Sequence, residues 1–398
     1  MLLSWRMWPV YLLLAAAWTV PSRFRWTRTL LLTLLAGASL GAWVMVPVPV
    51  LTLPDGPYRV GTSIFRWVDE SRPEEVTADP ADHRNVIVQA FYPVAEKAAG
   101  TPSIYMDGLQ NLPPRVSVLP RFLLQDVGRT DTHSMTGVPV GEQRAHWPVI
   151  VFSPGFGATR SFYTSLITGL ASRGVVVLAI DHPYEAGVVE LANGQVVTTV
   201  IQRRPDEPDL IGYMTRQQDL RVADIRFALD RIPILPFAAH LDLDRVAAIG
   251  HSFGGASSIA AMARDRRIRL AVNIDGTPYG ALPEARLDRP VMWLQSDLSE
   301  SRYSPAYLAG NTRILNGLQG APGYRFQAKH VNHFGFTDFP CFLSTPGRWL
   351  LSLAMGGSRD PQSIHRATVD LVMAFLDKPD SLRQVASRYE WISGGRVK

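Results

Sequence analysis

A serine held between glycines constrains this chain more than any other feature. Gly250-His251-Ser252-Phe253-Gly254-Gly255 follows a short apolar run, Arg245 to Ile249, and leads into a run of small residues, Gly254 to Arg264. The letters G-x-S-x-G recur by chance. A strand entering them and a small-residue helix leaving them, however, make a sharp turn that presents the serine hydroxyl. Glycine is needed on both sides because the turn strains the backbone at the serine and brings strand and helix too close for side chains. Unpaired N–H groups at the helix start favour negative charge developing beside the hydroxyl. Ser252 is therefore a candidate nucleophile. His251 points away from that hydroxyl and reads as a packing residue.

Such a turn belongs to an α/β architecture, and the surrounding sequence agrees. Short apolar runs at Asn85 to Tyr92, Val149 to Phe152, Val175 to Ile180, Leu270 to Ile274 and Val291 to Leu294 read as strands. Between them lie helical patterns at Ser161 to Arg173, closed by Gly174, and at Thr215 to Ile232; a last amphipathic helix runs near Ile364 to Leu376. The alternation predicts a mostly parallel sheet wrapped by helices. Asn193-Gly194 between paired valines predicts a hairpin. Residues 98–145 are rich in Pro and Gly, with weak amphipathic patches around Ile104 to Leu112 and Val116 to Leu124, and read as an insertion rather than sheet. We expect one catalytic domain over 51–398, with neither an internal repeat nor a second domain.

A hydroxyl is a poor nucleophile at neutral pH, so Ser252 needs a base, and the base needs an acid to fix its tautomer. In strand-turn-helix serine sites the chain order is serine, acid, histidine. Only His330, His333 and His365 follow Ser252. His365 lies in the last amphipathic helix and reads as a surface residue, whereas His330 and His333 lie in a loop leaving the strand Tyr324 to Ala328. The candidate acids are Asp275 and Asp297, each at the C-terminal end of a strand, where sites of such folds are built. Spacing does not choose between them.

Charge excludes one function class. The 398 residues contain 40 Lys plus Arg against 35 Asp plus Glu, but residues 1–50 hold Arg6, Arg23, Arg25 and Arg28 and no acid, so the rest is close to neutral. Nucleic-acid binding needs a clustered basic excess on the folded domain, and none is present. The lone Cys341 has no neighbouring base and reads as a packed apolar residue, with no disulfide framework to build.

Residues 1–50 carry two apolar stretches, Met7 to Val20 and the charge-free Leu30 to Val50, with Trp8, Trp18, Trp26 and Trp43 near their ends. The second is long enough for a bilayer core of roughly 30 Å. Three arginines in Pro21 to Arg28 put the connecting loop in the cytoplasm. We expect one or two N-terminal transmembrane helices that hold the domain on the outer face of a bacterial plasma membrane. The alternatives are a late signal sequence cut near Ala36-Gly37-Ala38, releasing a soluble exported domain, and two buried helices of a soluble fold.

Several of these residues resemble the plasma and intracellular type II platelet-activating factor acetylhydrolase family and its bacterial relatives. The resemblance runs from about Tyr58 to Phe339 and is carried by Val149 to Gly157, Gly250 to Gly255, Asn273-Ile274-Asp275-Gly276 and His333-Phe334-Gly335-Phe336-Thr337-Asp338-Phe339. It implies an alpha/beta-hydrolase fold, with Asp275 as the acid and His333 as the base. It further implies an oxyanion hole formed by the backbone N–H groups of Phe156 and Phe253. Pro154 departs from the family, which usually has His there. The implied activity is hydrolysis of a short-acyl phospholipid or similar lipid ester through an acyl-enzyme, without metal or cofactor. Asp181-His182-Pro183-Tyr184-Glu185 has a metal-like trio in a single Pro-containing loop, which is poor ground for a ligand set; Tyr184 is a candidate wall of the acyl pocket. Two other readings stay open: a broad carboxylesterase or polyester hydrolase, and a non-catalytic hydrolase-like binding protein, against which the intact residue set argues.

Overall fold

Burial on both faces explains why the central strands are apolar at every position. In the computed structural model, which describes residues 8–19, 25–45, 49–109, 127–200, 208–280, 282, 286–300 and 305–398, consecutive strand residues feed opposite layers. Val149 and Val151 join a core beneath one set of helices, while Ile150 and Phe152 join the core on the other face. The strands are β1 Arg59–Pro73, β2 His83–Val94, β3 Thr101–Pro102, β4 Ser134–Thr136, β5 Trp147–Ser153, β6 Val176–Asp181, β7 Val188–Glu190, β8 Val196–Thr198, β9 Leu241–His251, β10 Ile268–Ile274, β11 Val291–Gln295, β12 Gly323–Ala328 and β13 Ile392–Arg396. The helices are α1 Trp8–Thr19, α2 Arg25–Met45, α3 Thr164–Ser172, α4 Leu210–Asp230, α5 Phe253–Arg264, α6 Pro305–Asn316, α7 Thr345–Met355, α8 Pro361–Asp377 and α9 Leu382–Ala386.

Eleven strands form one sheet in the order β13-β12-β11-β10-β9-β5-β6-β2-β1-β4-β3, and β7 pairs with β8 around the expected Asn193-Gly194 turn. From β6 through β5, β9, β10 and β11 to β12 all neighbours are parallel. Helices α4 and α5 cover one face; α3 and α8 cover the other. After β5 the chain goes to β6 on one side, then returns to β9 on the other. A switch point of this kind opens a crevice at the strand C-termini, where ligands of open α/β sheets bind.

The structure departs from expectation in several elements. A long strand, β1, precedes the expected first one. The described part of the 98–145 segment supplies β3 and β4, so the insertion does enter the sheet, at its far edge; of its amphipathic patches, Val116 to Leu124 lies outside the described residues, and the described part of Ile104 to Leu112 forms turns rather than an α-helix. The chain ends in an edge strand, β13, rather than in the helix α8. At the N-terminus α1 and α2 form and pack on each other. Among the described residues no helix is long and apolar enough to cross a membrane, so the structure does not support the expected transmembrane helices; Arg6 and Arg23 lie outside the described residues.

His365 is buried, not a surface residue. Its Nε2–H donates to the Thr337 carbonyl at 3.2 Å, which leaves Nδ1 to accept from the Thr52 hydroxyl at 2.8 Å. Leu51 and Thr52 are themselves buried, and the Thr52 N–H donates to Ser165 Oγ. Cys341 packs with Leu51 and Tyr105, and burial pushes its thiol pKa well up.

Candidate active site

The strand-to-helix turn places Ser252 at φ 54°, ψ −127°, a region that L-residues avoid. Its neighbours explain the glycines. A Cβ on Gly254 would lie 2.0 Å from the Ser153 carbonyl oxygen, and one on Gly250 would lie 2.4 Å from the Gly254 carbonyl. The Ser252 N–H donates to the Ile274 carbonyl at 2.7 Å, which ties the turn to β10.

At the end of β10, Asp275 also has a left-handed backbone, φ 58°. The Asn273 side chain holds that bend, accepting from the Gly276 N–H at 2.7 Å and donating to the Gly276 carbonyl at 3.0 Å. The buried Asp275 carboxylate accepts from the Ser296 N–H at 2.9 Å, from the Tyr307 hydroxyl at 3.2 Å and from His333 Nδ1 at 2.7 Å. Because a carboxylate only accepts, Nδ1 carries the proton, and Nε2, 2.9 Å from Ser252 Oγ, is free to receive one. The structure thus brings Ser252, His333 and Asp275 into one hydrogen-bonded line, the arrangement that turns a hydroxyl into a nucleophile.

The competing residues lie elsewhere. His330 is exposed and bonds through Nδ1 to Glu300 at 2.6 Å. Asp297 accepts from the His330 N–H at 2.8 Å and from the Ser299 N–H at 2.9 Å, so it braces the loop that carries the base. Burial works against its carboxylate, but the Ser299 and His330 hydrogen bonds outweigh it and hold the pKa below the usual value.

A cavity of about 1220 Å³ opens above the line and is walled by Ser252, His333, Phe156, Phe253, Met214 and Tyr279 among others. The amides of Phe156 and Phe253, the implied oxyanion donors, have no hydrogen-bond partner among the described residues. Tyr184 does not line this cavity. At φ 65° it packs instead with Ile64 on a separate cluster of Ile87, Ala186, Val189, Leu191 and Val197. The rest of its loop is engaged elsewhere: Asp181 pairs with Arg160, Glu185 pairs with Arg221, and the neutral His182 ring bonds through Nδ1 to Asp224 at 2.8 Å.

Two further clusters bring ligand-type atoms within 4.8 Å of one another, Asp338, Cys341 and His365 in the interior and Asp297, Glu300 and His330 nearer the surface. Donors and acceptors of the chain already engage both. Asp338 accepts from the Ser165 N–H and the Tyr105 hydroxyl.

His251 has a role that sequence reasoning missed. It does point away from the Ser252 hydroxyl, but toward the base loop. Its Nε2 donates to the His333 carbonyl at 2.9 Å, and Nδ1 accepts from the Tyr163 hydroxyl at 2.8 Å, which in turn accepts from the Gly155 N–H at 2.9 Å. Burial, helped by the nearby His333, lowers its pKa to about 3, so the ring is neutral.

Comparison with known proteins agrees with this geometry. Residues 150–391, more than half of the chain, match a model described as the alpha/beta hydrolase family, and residues 49–223 match one for platelet-activating factor acetylhydrolase, isoform II. A probable 1-alkyl-2-acetylglycerophosphocholine esterase of Arthroderma benhamiae is 29% identical over 363 residues, 84% of each chain. The platelet-activating factor acetylhydrolase of Bos taurus is 27% identical over 63% of this chain and 61% of its own. Among solved structures, a ferulic acid esterase from Streptomyces cinnamoneus superposes with a TM-score of 0.69 at 25% identity, covering 87% of this chain and 99% of that one. With the serine on its strained turn and these matches in hand, the chain belongs to the alpha/beta hydrolase family and is a serine ester hydrolase similar to platelet-activating factor acetylhydrolase, isoform II.

Proposed function

We propose that this protein hydrolyses lipid esters with a short acyl chain, phospholipid-like ones foremost, with Ser252 as nucleophile. The observation that carries the chemistry is the Asp275–His333–Ser252 line, 2.7 and 2.9 Å per link, at the base of an open cavity. Ser252 Oγ attacks the ester carbonyl carbon as His333 Nε2 takes its proton. The resulting oxyanion is held by the Phe156 and Phe253 N–H groups. His333 then returns the proton to the leaving alcohol oxygen as the C–O bond breaks. Water, activated by the same imidazole, releases the acid from the acyl-serine. Asp275 orients the ring and stabilises its charged form.

The lipid reading is supported by the names of the relatives and by the surface around the cavity. Met355 of α7 lines the cavity, and the same helix exposes Trp349, Leu350 and Leu353; Phe334, beside the base, is exposed as well. Large apolar side chains exposed together on one helix beside the cavity fit an interaction surface, and amphiphilic substrates are delivered across such a surface. We further propose that residues 1–50 tether the domain at the outer face of a membrane, which raises the local concentration of such substrates; the charge-free run Leu30 to Val50 beside arginines supports it. Alkaline extraction of membranes and protease accessibility in intact cells test the tether.

A second reading, a broad carboxylesterase, draws on the ferulic acid esterase neighbour and on the openness of the cavity. Rates on a short-acyl glycerophospholipid, a simple aryl ester and an insoluble polyester separate the two. A clear preference for the phospholipid is the expected result, and no hydrolysis of it alongside fast aryl-ester turnover overturns the lipid reading. A fluorophosphonate should label the native protein but not Ser252→Ala; labelling of neither would make the chain a silent binding protein.

A further inference from the structure

Arg221, on α4, is among the largest buried side chains, and every part of its guanidinium is engaged at the back of the loop that follows β5. Nη1 donates to Ser153 Oγ at 3.1 Å and to the Pro154 carbonyl; Nη2 donates to the Gly155 carbonyl at 3.1 Å. Nε donates to Glu185 Oε2 at 2.8 Å, and Nη2 also meets Glu185 Oε1. The same carboxylate accepts from the Gly157 N–H at 3.2 Å. The guanidinium carbon lies 4.8 Å from the centre of the Phe253 ring. Arg221 and Glu185 therefore grip Pro154, Gly155 and Gly157, the residues on either side of Phe156, and touch Phe253.

We infer that Arg221 is a positioning residue for the oxyanion hole, acting through the peptide that joins Gly155 to Phe156. The inference rests on the reading of the Phe156 N–H as an oxyanion donor. A trans peptide is planar, so its C=O and N–H point in opposite directions, and fixing the carbonyl of Gly155 fixes the direction of the Phe156 N–H. The contact is also charge-assisted. A cation on the carbonyl oxygen polarises the amide and makes its N–H a stronger donor to a developing oxyanion. The turn is closed by the Ala158 N–H, which also bonds to the Gly155 carbonyl at 3.1 Å, so that oxygen is held from two sides. Two loop carbonyls, the Ser153 hydroxyl at the end of β5 and a carboxylate need the planar fork of an arginine; a lysine offers a point charge. This gives a role to a residue 31 positions before the nucleophile that no motif marks.

The test uses a soluble aryl ester and a boronic acid that mimics the tetrahedral intermediate. Removing Arg221 alone would strand the Glu185 charge in the interior, so the main variant is Arg221→Met with Glu185→Gln, whose amide oxygen still accepts from Gly157. It is expected to fold, to lose roughly ten- to a hundredfold in kcat with KM within about twofold, and to lose boronic acid affinity by a similar factor, since only the charged intermediate uses the donor. A folded variant with wild-type kcat, or one that loses kcat with boronic acid affinity unchanged, overturns the inference. If the double variant does not fold, Arg221→Lys decides, because it keeps the charge against Glu185 and loses the fork; the same kcat loss supports the inference and wild-type kcat overturns it. Fluorophosphonate labelling of Ser252 in the wild type is measured alongside. Its absence removes the hydrolase reading and the inference with it, whereas its presence with unaffected variants removes the inference alone.

Discussion

His251 Nε2 donates its proton to the backbone carbonyl of His333, 2.9 Å away, and the two rings lie 4.5 Å apart. The residue just before the nucleophile therefore holds the base from beneath, through backbone, and the same ring reaches the oxyanion loop by way of Tyr163 and Gly155.

Replacing His251 with Leu leaves the His333 carbonyl without its donor and the Tyr163 hydroxyl proton without its acceptor. Each such group costs about 1–3 kcal/mol. We expect a lower denaturation midpoint and a kcat reduced about tenfold, because near-attack geometry tolerates little drift of the imidazole. Tyr163→Phe, which strands only the Gly155 N–H and the acceptor on His251, should have the smaller effect in both measurements.

Asp275→Asn and Asp297→Asn should behave oppositely. An amide at 275 presents the wrong group to Nδ1 and disturbs the tautomer, an effect of about 10⁴ in kcat in comparable triads. At 297 the change removes only some of the carboxylate's hold on the Ser299 and His330 amides, so kcat should fall less than about tenfold while the midpoint drops. Steady-state kinetics of the two folded proteins decides; equal losses would mean that the acid is wrongly assigned.

Stability should fall on mild acidification. His182, His251 and His365 all have lowered pKa values in the folded protein, burial being the largest cause for each. Unfolded histidine titrates near 6.5, so below about that pH the unfolded chain takes up protons that the native one refuses. Each histidine then removes up to about 1.4 kcal/mol per pH unit until it titrates in the folded state, which for His251 is about 3. Asp181, pushed up to about 6 by burial against the pull of Arg160, takes up a proton in the native state and offsets part of this below that value. The urea midpoint at pH 5.5 should lie below that at pH 7.5, and His365→Gln should narrow the gap. A midpoint that rises on acidification would contradict the assignment of neutral histidines.

Charge on the exposed face of α7 should separate substrates by their physical state. Trp349 is 61% exposed and Leu353 68%, so Trp349→Asp with Leu353→Asp should leave the midpoint and turnover of a soluble aryl ester nearly unchanged. Apparent KM for a phospholipid presented in vesicles should rise severalfold as apolar contact is lost. A vesicle KM equal to that of the wild type would separate α7 from substrate delivery.

The central strands and the turn at Ser252 were legible because local sequence decides them. A strand buried on both faces is apolar throughout, and the glycines answer to contacts within a few residues. β1 was not, since it lies toward the sheet edge with most of its length only partly buried, and its Arg66, Asp69 and Ser71 break any apolar run. β13 contains Gly394-Gly395, which reads as a turn. The choice of Asp275 over Asp297 escapes spacing because both close a strand; it is made by the sheet, where β10 lies next to β9 and β11 one place further. The direction of His251 follows from its place before the nucleophile, but its partner does not, since what lies in that direction is a loop 82 positions on. His365 and Thr52 meet across 313 positions, a contact that no pattern announces.

The boundary strap Leu51–Thr52 limits how this domain can be detached. The Thr52 hydroxyl donates to His365 Nδ1 and its N–H donates to Ser165 Oγ, while the Ser165 N–H bonds to Asp338 in the stretch that carries the base. A fragment beginning at Leu53 would strand an imidazole nitrogen in the interior at a cost of about 1–3 kcal/mol, so a cut upstream of Leu51 should release a more stable domain than a cut after Thr52.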